Sequence, residues 1–279
     1  MPLDSVLRSL SLTVVLCLGA LLVEAVAIVV APTAVYITDR EPAAAITLYN
    51  PSNDPEEVTV ETVFGYPTTD AEGRLFLHTD SVGDDPRSAA GWIQALPRRV
   101  VVPPGERRIV RLLARPPAGT LDGEYWSRLV LTSRPQRLPA TGADTAQVSV
   151  GLDMQVRTII SVTYRKGDVR TSVSVEDFQP EIRGDTLFVR PSFVRGDEGA
   201  YIGQMRVGLL AADGSEAAAW DEQVAVYREY SRRYAYDVSD LPAGTYRVVL
   251  RLTTERDDIP AADRLIADPV EVTADVVRP

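Results

Sequence analysis

The chain has 279 residues, enough for two domains of ordinary size, and 45% of them are hydrophobic, enough to give each domain a core. A formal charge of −10 argues against nucleic acid and anionic membrane surfaces as partners. Lys166 is the sole lysine beside many arginines, which reads as genome composition or a salt-adapted surface. The single cysteine, Cys17, lies in the N-terminal apolar segment, so disulfides and thiol chemistry are excluded for the rest of the chain.

Residues 1–27 read as a cleaved secretory signal peptide. Arg8 supplies a weak positive end, Ser9 to Val23 the apolar segment, and Ala25-Val26-Ala27 an A-x-A cleavage site. An uncleaved anchor would carry Glu24 unpaired into the bilayer, which costs a few kcal/mol. Leu16 before Cys17 is too large for a lipoprotein processing site. The chain is therefore expected to leave the cytoplasm.

Beyond that point helical periodicity is missing, and short β-rich runs recur between Gly, Pro, Asn and Asp punctuation. The first half gives Ile28–Thr38, Ala45–Tyr49, Glu57–Phe64, Arg99–Val102, Arg107–Ala114, Glu124–Thr132 and a long run, Gln147–Arg165. Gly65–Gly91 is polar and Gly/Asp-rich, and reads as a long surface loop or irregular hairpin. The second half gives Val169–Phe178, Thr186–Arg195, Gly203–Ala211, Ala218–Tyr227, Arg232–Val238, Tyr246–Thr254 and Val270–Val277. The expected fold is all-β: two immunoglobulin-like sandwiches in tandem, spanning 28–165 and 166–279, joined without a flexible linker and separated by a cleft. Tyr125 and Tyr246 each follow a turn and open an apolar strand, the pattern of a tyrosine corner, in which the hydroxyl bonds back to upstream backbone.

The run Gln147–Arg165 is the most informative. Its even positions from Val148 to Tyr164 are apolar except Thr158, and most odd positions are polar. Such alternation gives a strand one oily and one wet face. At about 3.3 Å per residue the run would reach roughly 60 Å, far beyond the usual strand. It either passes from one domain into the next or offers its apolar side chains to another protein, by adding its edge to that protein's sheet.

Chemistry has little to work with. His78 is the lone histidine, no G-x-S-x-G elbow exists, and Asp80 beside it implies no triad. The acidic runs 80–85 and 255–258 do not follow calcium-loop spacing, and no phosphate-binding glycine motif is present. No enzyme activity, metal, cofactor or small-molecule substrate is expected.

The order of pieces resembles the PapD-like periplasmic chaperones of the chaperone–usher pathway for pilus assembly. IVVAPTAVY (28–36) with AITLYN ending at Asn50 is similar to that family's opening strands. Leu96-Pro97-Arg98-Arg99-Val100, Pro103-Pro104-Gly105-Glu106 and RRIVRLL follow, then Asp122-Gly123-Glu124-Tyr125-Trp126, then the long strand ending Tyr164-Arg165. The resemblance covers Ile28 to about Arg165, while the second half matches in size and strand character.

It implies a chaperone that donates alternate apolar side chains to a pilin-like or secreted subunit with an incomplete sheet, with an outer-membrane usher as a further partner. The donors would be Val148, Val150, Leu152, Met154 and Val156. At ~1.5–3 kcal/mol each, their burial would supply roughly 8–15 kcal/mol before association costs. Arg165 matches an arginine that fixes the two domains together. The family's two carboxylate-anchoring cations fall here on Ala34 and Ser161, so both are missing, and Arg157 is the candidate substitute. The alternative is a structural or adhesion module of the cell envelope with no cleft function.

Overall fold

The computed structural model describes residues 28–80, 85–136 and 154–279. The segment 1–27 and the candidate donors Val148, Val150 and Leu152 lie outside the described residues.

The chain begins with β1 (Val29–Ala31), β2 (Ala34–Thr38), β3 (Ala43–Tyr49), β4 (Glu56–Thr69), β5 (Leu75–Asp80), β6 (Ile93–Leu96), β7 (Arg99–Val102), β8 (Arg107–Ala114), β9 (Gly123–Pro135) and β10 (Val156–Lys166). These form two sheets, β1-β3-β8-β6 and β2-β10-β9-β4-β5, with β7 also on β4. Pro32, which has no N–H, separates β1 from β2, and the chain changes sheet there. The alternating residues of the two inner faces, including Ile46, Leu48, Val58, Leu112, Leu129 and Val162, make one buried core. At the Asn50–Pro55 turn the fully buried Asn50 amide donates to the carbonyls of Asp54 and Val102 (2.8 Å each) and accepts from Ser52 N–H.

The second sandwich holds β11 (Val173–Glu176), β12 (Glu181–Arg183), β13 (Thr186–Val189), β14 (Ser192–Arg195), β15 (Tyr201–Leu210), β16 (Glu216–Val226), β17 (Tyr230–Ser231), β18 (Tyr234–Asp237), β19 (Gly244–Thr253) and β20 (Val270–Arg278). The sheets are β16-β15-β19-β20 and two small ones, β11-β14-β17 and β12-β13-β18. Their core includes Leu187, Phe193, Met205, Val207 and Leu250. The run Thr186–Arg195, expected as one strand, is broken at Pro191 into β13 and β14, and the halves join different sheets.

Both tyrosines make the corner bond: Tyr125 Oη donates to Leu121 O and Tyr246 Oη to Pro242 O, each at 2.8 Å. Part of the expected loop 65–91 is regular. β4 runs on to Thr69 and returns as β5, paired from Phe64–Asp80 to Thr69–Leu75.

Among the described residues strand β10 begins at Val156, and the expected start of the run at Gln147 lies outside them. Val156 pairs with Ser133 of β9, and Met154 and Gln155 precede the strand. In that register Met154 would stand opposite Pro135, which has no N–H to extend the ladder. At the other end β10 enters the second domain directly through Gly167, whose φ is +70 and whose Cβ position lies 2.4 Å from the Asp122 carboxylate. Any side chain there would meet both an unfavourable backbone region and that carboxylate.

Candidate functional site

The face of β9 turned away from the first core is also covered, so the strand is buried on both sides along most of its length. Trp126, 1% exposed, leaves the sandwich interior and packs with Phe64, Ala90, Ala200 and Tyr227 in a third apolar cluster between the domains. The Tyr227 ring meets Trp126 edge-on at 5.0 Å between centroids, an arrangement worth about 0.5–1.5 kcal/mol beyond area burial.

A polar knot sits beside that cluster. Glu124 is 2% exposed; its Oε1 accepts from Trp126 Nε1 (2.7 Å) and from the backbone N–H of Ala200 (2.9 Å). Its Oε2 accepts from Arg165 Nε at 2.8 Å. Arg165 reaches on to the second domain, where Nη1 donates to Asp263 O (2.6 Å), and its guanidinium lies over the Tyr36 ring at 4.6 Å. Arg165 thus touches both domains directly, and the Glu124 carboxylate with which it pairs bonds to the second domain as well. On the far side Arg228 pairs with Asp85 and covers the Tyr66 ring at 4.9 Å.

Between these ties lies a cavity of about 370 Å³. Ala34, Ser161, Arg128 and Leu77 line it from the first domain, and Ile202, Tyr227, Arg256 and Asp258 from the second. Ala34 pairs with Ser161, and Ser161 with Arg128, so the three form one cross-strand row over β2, β10 and β9. The two positions without a cation are therefore flanked, one strand further along, by an arginine. Arg128 is 6% exposed, its guanidinium lies 5.0 Å from the Tyr227 ring, and its Nε has no partner among the described residues. Gly65 makes room for it: a Cβ there would sit 2.6 Å from His78 O and 3.2 Å from Arg128 Cγ.

Arg256 has a counter-ion already. Its Nε and Nη2 donate to the two Asp258 oxygens at 2.7 and 2.6 Å, and these bonds hold the Asp258 carboxyl below the usual range. No carboxylate lies within ion-pair distance of Arg128 among the described residues. Arg157, four residues from Ser161 on the same strand, is exposed and does not line the cavity.

The edge of β10 completes the site. From Ser161 to Arg165 the strand has β2 on one side and β9 on the other. From Val156 to Ile160 only β9 pairs with it among the described residues. The core-facing series Tyr164, Val162 and Ile160 is buried, continues through half-buried Val156, and reaches Met154, which is 38% exposed.

No protein-family model matches the chain, and no curated protein matches it. Among solved structures the chain is similar to pilus chaperones. One is the CsuC–CsuE chaperone–tip adhesion subunit complex of the archaic chaperone–usher Csu pili of Acinetobacter baumannii. There the identity is 13%, the TM-score 0.43, and coverage 90% of this chain and 98% of that one. The CupB2 chaperone of Pseudomonas aeruginosa is 13% identical with a TM-score of 0.46, covering 88% and 98%. The Salmonella enterica SafA pilin–SafB chaperone complex is 12% identical with a TM-score of 0.43, covering 90% and 98%.

Proposed function

We propose that the protein is a periplasmic chaperone that holds a pilin-like or secreted subunit by β-strand addition along β10. The observation that carries this reading is the edge at Val156–Ile160, which has a β9 partner on one side and none on the other among the described residues. An unpaired edge offers a row of N–H and C=O groups to an incoming strand. The same stretch is where the core-facing side chains emerge from the domain, so a client's sheet would gain backbone bonds and apolar fill from one strand. Val148, Val150, Leu152, Met154 and Val156 are the proposed donors.

Arg128 takes the role of anchor in this reading, in preference to Arg157. An arginine buried without a carboxylate is costly, and a client carboxylate entering the cleft removes that cost. The apolar walls at Leu77 and Ile202 would exclude water from the pair. Arg165 and Glu124 hold the two domains at the angle that keeps the cleft open. The candidate signal peptide supplies export, an outer-membrane usher is the proposed recipient of the loaded complex, and no catalytic step is involved.

Co-expression with a pilin-like subunit that lacks one strand tests this. The subunit should co-purify with the wild-type chain and be lost from a Met154→Asp/Val156→Asp variant whose unfolding midpoint is unchanged. Arg128→Ala should weaken the complex about 10- to 100-fold, the worth of a charge-assisted bond of ~1.5–3 kcal/mol. Undiminished binding by the double variant would overturn the reading, as would a variant that simply unfolds.

A further inference from the structure

At the other end of the same sheet, β5 pairs with β4 and with no other strand among the described residues. Leu75, Phe76 and Leu77 are 48%, 46% and 36% exposed, and His78 and Thr79 are exposed too. Five successive uncharged residues on an outer strand stand out in a chain with 24% charged residues. Outer strands are ordinarily blunted by charge, proline or a bulge. The outer strands of the second domain follow that rule, with Glu216, Asp221 and Glu222 on β16 and Glu271, Asp275 and Arg278 on β20.

The strand is exposed but held. At its turn Arg233 N–H donates to Gly73 O (3.1 Å) and Arg190 Nη2 to Ala71 O (2.8 Å), both from the second domain. The His78 ring packs on Tyr66 at 5.3 Å. An edge fixed in this way loses little freedom when it pairs.

Its outward groups follow from the register. Asp70 N–H donates to Arg74 O at 3.1 Å, so alternation makes Thr68–Phe76 and Tyr66–His78 the bonded pairs of the hairpin. Pro67, opposite Leu77, has no N–H and fits the unbonded place. The N–H and C=O groups of Leu75, Leu77 and Thr79 therefore point away from β4.

We propose that a second copy of this chain pairs antiparallel along β5, about a two-fold axis at Leu77, joining the two six-stranded sheets into one. In that register Leu75 stands opposite Thr79 of the other copy, Phe76 opposite His78, and Leu77 opposite itself. The three residues with outward backbone groups then meet one another, as a self-complementary two-fold contact requires. No like charges are brought together between Leu75 and Thr79, although each copy carries a net charge of −10. A five-residue pairing lies at the small end of interface sizes, so the dimer is weak and depends on concentration. It leaves the β10 edge free, while Leu77, on the axis, is also a wall of the cleft.

Sedimentation velocity of the full chain from micromolar to millimolar concentration tests the proposal, with the weight-average mass expected to rise toward twice that of one chain. Leu77→Lys places like charges on the axis and should abolish the rise without moving the unfolding midpoint. Directly opposed bonded residues lie about 5.5 Å apart at Cα, within disulfide reach. Leu77→Cys in a Cys17→Ser background should then give a covalent dimer on mild oxidation, and Ile266→Cys, 76% exposed and remote, should not. A monomer throughout the range, or a dimer that survives Leu77→Lys, would overturn it.

Discussion

Glu124 carries more of this structure than its size suggests. It accepts hydrogen bonds from Trp126, Ala200 and Arg165, and the Glu124–Arg165 pair is withdrawn from water, with side chains 2% and 12% exposed. Removing one member of such a pair strands the other and typically costs about 3–5 kcal/mol. Glu124→Ala should therefore lower the urea midpoint by an amount in that range. A Glu124→Leu/Arg165→Leu double variant should recover much of the loss, because no lone charge remains. A second prediction concerns alkaline pH. Burial pushes the hydroxyls of Tyr36, Tyr201 and Tyr230 up from 10.0 to about 12. The unfolded chain releases these protons near pH 10 while the folded chain keeps them, so stability is full below that pH and falls as pH rises toward 12. Tyr201 Oη has no partner among the described residues, so Tyr201→Phe should leave the urea midpoint unchanged at neutral pH and shrink its alkaline fall.

Strand β10 shows what a sequence discloses about an element and what it does not. Its period-two pattern marks the core face correctly at Ile160, Val162 and Tyr164, because alternation is a property of the backbone itself. Where the strand starts depends on the partner, and Pro135 across the ladder is invisible in the run itself. The strand punctuation likewise discloses two sandwiches and both tyrosine corners, but not the split at Pro191 into two sheets. Arg128 and Glu124 escape notice for a different reason. They sit in β9 among Tyr125, Trp126, Leu129 and Val130, where burial on both faces erases the alternation that would assign them a side. Only the register with Ser161 and Ala34 brings Arg128 into the cleft. A resemblance that aligns Ala34 and Ser161 can report missing cations, but not a cation one strand away.

As a whole the molecule is two sandwiches held by a buried ion pair, an aromatic cluster and the β4–β5 turn, with a partly apolar cleft between them. Ties on both sides of the cleft keep its walls at fixed separation, which a client-holding role needs and a simple spacer does not. One sheet lines this cleft from Ala34 on β2 across to Leu77 on β5, and the uncharged β5 strand forms its outer edge. In the proposed function the stretch Val156–Ile160 of β10 receives another protein's strand. Amide hydrogen exchange of the chain with and without its co-purified subunit tests it most directly. Protection gained on binding should concentrate at residues 156–160 and extend toward Met154. Protection gained elsewhere, with residues 156–160 exchanging as fast as in the free chain, would contradict it.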